Sequence, residues 1–144
     1  LIEAVSKNNI TGIEQNKSSL LRYAQEGLEK LKSIKPFQGD ASLQNACKRV
    51  MNFYVKEVNE SMNTISEFYL IKERFATIKK EFEKKSSPSQ AEVDAYNKTV
   101  KEMNTASNAF NNTSQSLNNE RNDVLNEWNK AVKVFFDEHT PSYK

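Results

Sequence analysis

The chain has 144 residues, with 21 Lys and Arg against 19 Asp and Glu and a formal net charge of +2. This charge is too small to indicate a nucleic-acid partner or an anionic membrane surface. Three Gly and three Pro leave few residues for hairpin turns, whereas 28% charged and 37% hydrophobic residues are typical of amphipathic helices. The sequence therefore predicts one all-α domain over 1–144.

The first predicted helix spans 2–35 and ends before Pro36, because proline disfavours helical geometry for the residue before it. Its apolar stripe recurs at steps of three and four, the spacing of one helix face. The stripe contains Ile2, Val5, Ile13, Leu20, either Tyr23 or Ala24, Leu28, Leu31 and Ile34. A short loop from Pro36 to Gly39 follows.

The second predicted helix spans 41–85, with Asp40 as its N-cap. Its apolar stripe runs through Leu43, Ala46, Cys47, Val50, Phe53, Tyr54, Val58, Ile65, Phe68, Phe75, Ile78 and Phe82. Ser87 then offers an N-cap for a third helix over 88–138, with Pro88 at the first helical position and Gln90 completing a capping box.

The third predicted helix has the longest regular repeat in the chain. Its steps of three and four form a heptad-like seam over six turns or more, which favours long helices packed side by side. The seam contains Val93, Tyr96, Val100, Met103, Ser107, Phe110, Ser114, Leu117, Arg121, Val124, Trp128, Ala131 and Phe135. A dense aromatic core is predicted at the end of the domain that holds Trp128, Phe135, Phe136, Phe37, Phe53 and Tyr54.

Short connections predict an antiparallel up-down-up bundle of three helices, open to completion as a four-helix bundle by an upstream segment or a second copy. At about 1.5 Å per residue, the first helix reaches roughly 50 Å and the other two about 67 and 72 Å. The hairpin of the second and third helices should therefore extend beyond the first. Apolar residues at its end predict an interface there, which either a segment upstream of Leu1 or a second copy or protein partner covers. These candidate interface residues are Phe75, Ile78, Phe82, Val93 and Tyr96.

No charged residue lies between Glu102 and Glu120, where Asn, Ser and Thr predominate. These residues compete with the backbone for hydrogen bonds, so only tertiary packing would keep this segment helical. Two interpretations stay open: an Asn-rich solvated face, which we favour, and a binding surface for a polar ligand such as a sugar.

The sequence predicts no catalytic, cofactor-binding or metal-ligating residues, and we expect no enzyme. His139, the one histidine, directly follows Glu138, and adjacent residues diverge on a helix, which favours a helix-terminal histidine over a metal ligand. Cys47, the one cysteine, lies on an apolar stripe and is expected to be a buried thiol. Arg121 lies on the seam, where it either pairs with an acid on another helix or, as we favour, extends its charged end past the core to solvent.

The chain resembles an uncharacterised bacterial family of surface-exposed or lipid-anchored helical proteins, of the Bacteroidetes and spirochaete lipoprotein type. The resemblance covers most of the chain, and its motifs are helix caps and core aromatics. They lie at 27–31, 37–40, Leu43, 53–54, 121–125, 128–129, 135–136 and 139–141. It implies export from the bacterial cytoplasm with a lipidated cysteine at the mature N-terminus. Such an anchor would precede Leu1, and since Leu1 to Ala4 show neither an initiator Met nor a signal peptide, we expect that an upstream segment has been removed.

Two functions are predicted from these observations. The first is a non-enzymatic interaction or structural module of the bacterial envelope, in the periplasm or on the outer surface. The alternative is an intracellular adaptor or scaffold, similar in outline to spectrin-like three-helix domains, that binds an amphipathic partner helix in a groove.

Overall fold

The computed structural model describes residues 10–141, which form three α-helices. They are α1 (Ile10–Ser33), α2 (Ser42–Glu83) and α3 (Gln90–His139). The predicted all-α fold of three long packed helices is confirmed. Every described helix end lies within two residues of its predicted position. Residues 2–9 of the first predicted helix lie outside the described residues.

The central helix of the arrangement is α2, which packs against both α1 and α3. Among the described residues, α1 and α3 share no Cα pair within 8 Å. The α2 positions that face α1, such as Val58 and Met62, and those that face α3, such as Phe53 and Phe82, lie roughly 140° apart around the helix. The three helices therefore form an open layer in which α1 and α3 each bury their apolar face mainly against α2.

This arrangement divides the core into two clusters. One lies between α1 and α2 and contains the most completely buried side chains, Ile13, Val58 and Met62. The other lies between α2 and α3 and is built from Val50, Phe53, Leu117 and Val124. The predicted aromatic core is only partly correct, because Phe37 and Phe136 are 50% and 57% exposed and Phe53 is the fully buried member of that set.

The turn between α1 and α2 is tight and places Asp40 at the start of α2. Gln38 and Gly39 have positive φ angles of 52° and 87°, and the Asp40 N–H donates to the Phe37 carbonyl at 2.9 Å. The structure corrects the predicted cap, because Ala41 is the N-cap residue. Asp40 nevertheless accepts a hydrogen bond from the Ser42 N–H at 2.7 Å, so its carboxylate satisfies one of the free donors in the first turn.

The connection between α2 and α3 also contains the predicted capping box, but two residues further along the chain. Ser89, not Ser87, is the N-cap, and its reciprocal partner is Glu92. Glu92 accepts from the Ser89 N–H at 2.8 Å and also pairs with Lys85. A carboxylate that receives a backbone N–H and a cation forms stronger hydrogen bonds than the neutral amide of Gln90, which explains the shift.

The uncharged stretch of α3 stays helical because its seam residues are packed. Phe110 stacks on Phe68 of α2 with 4.7 Å between ring centroids, and Leu117 is buried in the α2–α3 cluster. Its Asn residues at 104, 108, 111, 112, 118 and 119 are exposed. This placement agrees with the solvated-face interpretation. Within residues 10–141, no helix combines the length and the apolar character that crossing a membrane requires.

Candidate functional site

The predicted interface residues lie together in the part of the α2–α3 hairpin beyond α1. Near its start, α1 packs Ile13 in the same cluster as Tyr69, and the Ser66 hydroxyl donates to Glu14 at 3.0 Å. The described part of α1 thus reaches α2 near Tyr69. We call residues 70–83 of α2 and 90–102 of α3 the hairpin tip.

The hairpin tip is organised around Tyr96. Its ring stacks on Phe82, with centroids 4.4 Å apart and 6° between planes, and on Phe75 at 6.3 Å. Ile78 and Val93 occupy the same two helices, and all five predicted residues are half-buried. The structure therefore brings three of the five predicted residues, Phe75, Phe82 and Tyr96, together as an aromatic stack between two helices.

Ion pairs fix the alignment of the two helices around this stack. Lys85 pairs with Glu92 at the end of the hairpin, and Arg74 pairs with Glu102 at the base of the tip. Hydrogen bonds from Lys85 and from the Ser89 backbone lower the pKa of the Glu92 carboxyl from 4.5 to about 2. The tip is consequently a defined structural unit and not a frayed helix pair.

An open groove adjoins the tip on one side of α2 and α3. Its volume is about 470 Å³. Phe68, Ile71, Ala106 and Ala109 supply apolar surface to it. The remaining lining residues are polar or charged: Thr64, Glu67, Lys98, Lys101, Glu102 and Thr105. Two acids and two lysines leave this α2–α3 groove electrically balanced.

Arg121 pairs with Glu57 across the α2–α3 interface, so the favoured prediction that it extends past the core was wrong and the alternative holds. Its guanidinium also donates to Asn118 at 3.0 Å and lies 6.0 Å from the Phe53 ring centroid. The Glu57 side chain is 8% exposed and that of Arg121 33% exposed. A buried carboxylate requires a cation, and Arg121 is the residue that reaches it.

At the other end of the domain, Asp40 and His139 form a pair that sequence analysis missed. Asp40 Oδ2 lies 2.8 Å from His139 Nε2, and the two side chains are 23% and 19% exposed. The imidazole packs edge-on against Phe37 at 5.1 Å and tilted against Phe135 at 4.6 Å. The hydrogen bond from the Ser42 backbone, followed by that to His139, lowers the pKa of Asp40 from 3.8 to about 2.

Glu138 completes a cluster with Asp40 and His139. One ligand atom from each of the three side chains lies within 4.8 Å of the other two. Glu138 is exposed, while the other two residues are half-buried. Imidazole and carboxylate groups at this spacing are able to bind a divalent cation.

Cys47 lies near this cluster in a 260 Å³ pocket that Asp40, Trp128 and Phe135 also line. Cys47 is half-buried, so the prediction of a buried thiol is only partly correct, and this partial burial raises the pKa of the thiol. An activated cysteine shows the opposite change, because a nearby cation or base favours the thiolate. His139, the one histidine of the chain, is paired with Asp40.

Comparisons of the chain with models of known protein families, with curated proteins and with solved structures give no match.

Proposed function

We propose that this protein is a non-enzymatic helical interaction module that binds a protein partner, or a second copy of itself, through the hairpin tip. The observation that supports this most directly is the half-buried stack of Phe75, Phe82 and Tyr96, which lies beyond the described reach of α1. In a two-helix hairpin each helix buries one face only. Aromatic side chains that remain half-exposed there gain further burial when another surface covers them.

The adjoining α2–α3 groove extends the proposed surface. It begins at Ile71, Lys98 and Lys101, which belong to the tip, and continues to Ala109. A central apolar strip with charges at its edges is the usual composition of a protein-binding patch. Tip and groove together would offer a partner aromatic anchors at one end and an apolar strip along the hairpin.

The proposal is tested by two substitutions in the tip and a matched substitution elsewhere. Phe75→Asp and Phe82→Asp each place a carboxylate in the stack, while Phe136→Asp introduces the same change at an exposed phenylalanine at the other end of the domain. A photo-crosslinking residue at Ile78 reports on what lies against the tip. We expect crosslinked protein products in the producing cells that disappear in the two tip variants and persist in Phe136→Asp. If the tip variants keep the oligomeric state, the stability and the crosslinked products of the parent, the tip is not an interface.

We further propose that the module acts on the bacterial envelope, in the periplasm or on the outer surface. Support comes from the resemblance to lipid-anchored helical proteins at the motifs around 37–40, 121–125 and 139–141. Cell fractionation with intact-mass analysis of the native protein tests it. A processed, lipid-modified N-terminus in the envelope fraction is expected. An unmodified chain in the cytoplasmic fraction would exclude this location.

The alternative function is an intracellular adaptor that binds an amphipathic partner helix. The groove favours it, because Phe68, Ile71, Ala106 and Ala109 offer apolar surface along two adjacent helices, as helix-binding grooves do. Phe82→Asp and Ala106→Glu, compared in one binding assay, separate the two functions. The adaptor predicts that Ala106→Glu abolishes partner binding and Phe82→Asp does not, whereas binding anchored at the tip predicts that Phe82→Asp abolishes it.

A further inference from the structure

We propose that Asp40, Glu138 and His139 form a binding site for a divalent first-row transition metal of the zinc type, which joins the turn between α1 and α2 to the end of α3. The sequence alone predicts no metal ligand at His139, because its neighbour Glu138 diverges from it on the helix. The fold supplies the missing partner, since the turn brings Asp40 to within 2.8 Å of the imidazole.

The distance between Asp40 and His139 is close to the one that such an ion requires. Zn²⁺ binds imidazole nitrogen and carboxylate oxygen at about 2.0–2.2 Å, so tetrahedral neighbours stand roughly 3.3 Å apart. Asp40 Oδ2 and His139 Nε2 need to separate by only about half an ångström from their 2.8 Å hydrogen bond. Glu138 is exposed, and its ligand atom lies within 4.8 Å of the other two. A rotation of this exposed side chain would bring its carboxylate to the ion, with water in the fourth position.

The two half-buried ligands are held in place by their surroundings. The Ser42 N–H binds Asp40 Oδ1 at 2.7 Å, which leaves Oδ2 directed at His139. Phe37 and Phe135 contact two sides of the imidazole, with centroids 5.1 and 4.6 Å from its own. Metal sites commonly depend on such outer contacts, which orient the ligands before the ion binds.

The ligand set selects the class of ion. Mg²⁺ and Ca²⁺ prefer sets made entirely of oxygen ligands, and an imidazole nitrogen among three protein ligands favours zinc, nickel, cobalt or copper. One nitrogen and two carboxylate oxygens do not form a closed structural site. We therefore expect reversible binding, with a position left open to water.

The experiment follows from the fact that the chain contains one histidine. Its ring nitrogens give a single set of NMR signals, so Zn²⁺ binding to Nε2 is observed without assignment ambiguity. The full chain is used without an affinity tag and with Cys47→Ser, which excludes the thiol as a ligand. We expect titration with Zn²⁺ to shift the Nε2 resonance at one ion per chain and to raise the thermal midpoint. Mg²⁺ at the same concentration should do neither.

Matched carboxylate variants distinguish a specific Zn²⁺ site from nonspecific binding of Zn²⁺ to acidic residues. Glu138→Gln removes a proposed ligand, while Asp137→Asn removes the adjacent exposed acid of the same helix. We expect Glu138→Gln and His139→Asn to weaken Zn²⁺ binding by about tenfold or more, and Asp137→Asn to leave it unchanged. Binding to His139→Asn, which lacks the imidazole signal, is measured by the rise in thermal midpoint. All three residues lie in the last turn of α3, so we expect little change in helix content, which CD verifies. An unshifted Nε2 signal, or equal weakening by Glu138→Gln and Asp137→Asn, would show that Asp40 and His139 form an ion pair only and would overturn the proposal.

Discussion

Removing either partner of the Glu57 and Arg121 pair should destabilise the protein to different extents. The Glu57 side chain is 8% exposed and Arg121 is 33% exposed, so Glu57 depends on its partner while Arg121 can reach water. Breaking a fully buried pair costs about 3–5 kcal/mol, and partial exposure on the Arg121 side reduces this. We expect Arg121→Met to lower the free energy of unfolding by about 2–3 kcal/mol, because it strands a buried carboxylate. Glu57→Gln should cost about 1 kcal/mol, because Gln keeps a hydrogen bond to the guanidinium.

Urea unfolding followed by CD and by the fluorescence of Trp128 measures both variants. Trp128 is the one tryptophan and packs against the cluster that contains Val124, so it reports on the α2–α3 interface. The double variant Glu57→Met with Arg121→Met should recover stability to within about 1 kcal/mol of the parent, since no charge is left unpaired. Equal costs for the two single variants, or a larger cost for Glu57→Gln, would refute the argument from exposure.

Three further predictions follow from the core, the cap and the thiol. Ile13→Ala should cost about 2–4 kcal/mol and act locally, because α1 packs mainly on α2; amide exchange should speed up in α1, and an equal increase throughout α3 would contradict this. The Glu92 carboxylate is stabilised at neutral pH, since its pKa is lowered from 4.5 to about 2. This contribution is present above about pH 4.5 and is lost as the pH falls towards 2. The thermal midpoint of the parent should therefore exceed that of Glu92→Gln at pH 7, and the difference should vanish near pH 2; a difference that persists there would refute the assignment. Cys47 should react slowly with iodoacetamide in the native protein and quickly in urea, because burial raises the pKa of its thiol. Rapid native alkylation would indicate an exposed thiolate instead.

Local sequence patterns are sufficient to predict the three helices and nearly sufficient to predict where each of them ends. Ile13 of the first stripe and Leu117 and Val124 of the seam are buried, because spacing along a helix determines which side chains share a face. Of the two candidates Tyr23 and Ala24, Ala24 is the buried one, and Ile34 at the end of the stripe is 53% exposed. The end of α2 and the start of α3 were placed within two residues. The shift from Ser87 to Ser89 arises from Lys85, which lies in the connection just after α2 and pairs with Glu92, an interaction that a capping pattern does not contain.

These local patterns do not predict contacts between residues that are far apart in the sequence. Arg121 and Glu57 are 64 residues apart, and the sequence placed Arg121 on the seam without indicating which acid faces it. Asp40 and His139 are 99 residues apart and meet because α2 and α3 are antiparallel and the turn before α2 folds back onto the end of α3. The sequence does contain one indication that these two residues are close. In an antiparallel pair, the start of α2 and the end of α3 lie at the same end of the domain, and Asp40 and His139 are polar residues at that end beside Phe37 and Phe135. The geometry of the turn then determines whether the two side chains meet, since the positive φ angles of Gln38 and Gly39 set the direction in which Asp40 projects.

We expect Gly39→Val to cost about 1–2 kcal/mol through backbone strain, and also to weaken the contact of Asp40 with His139. The NMR signals of the single imidazole measure the second effect, and an unchanged His139 spectrum in a destabilised Gly39→Val variant would show that the turn does not position the pair.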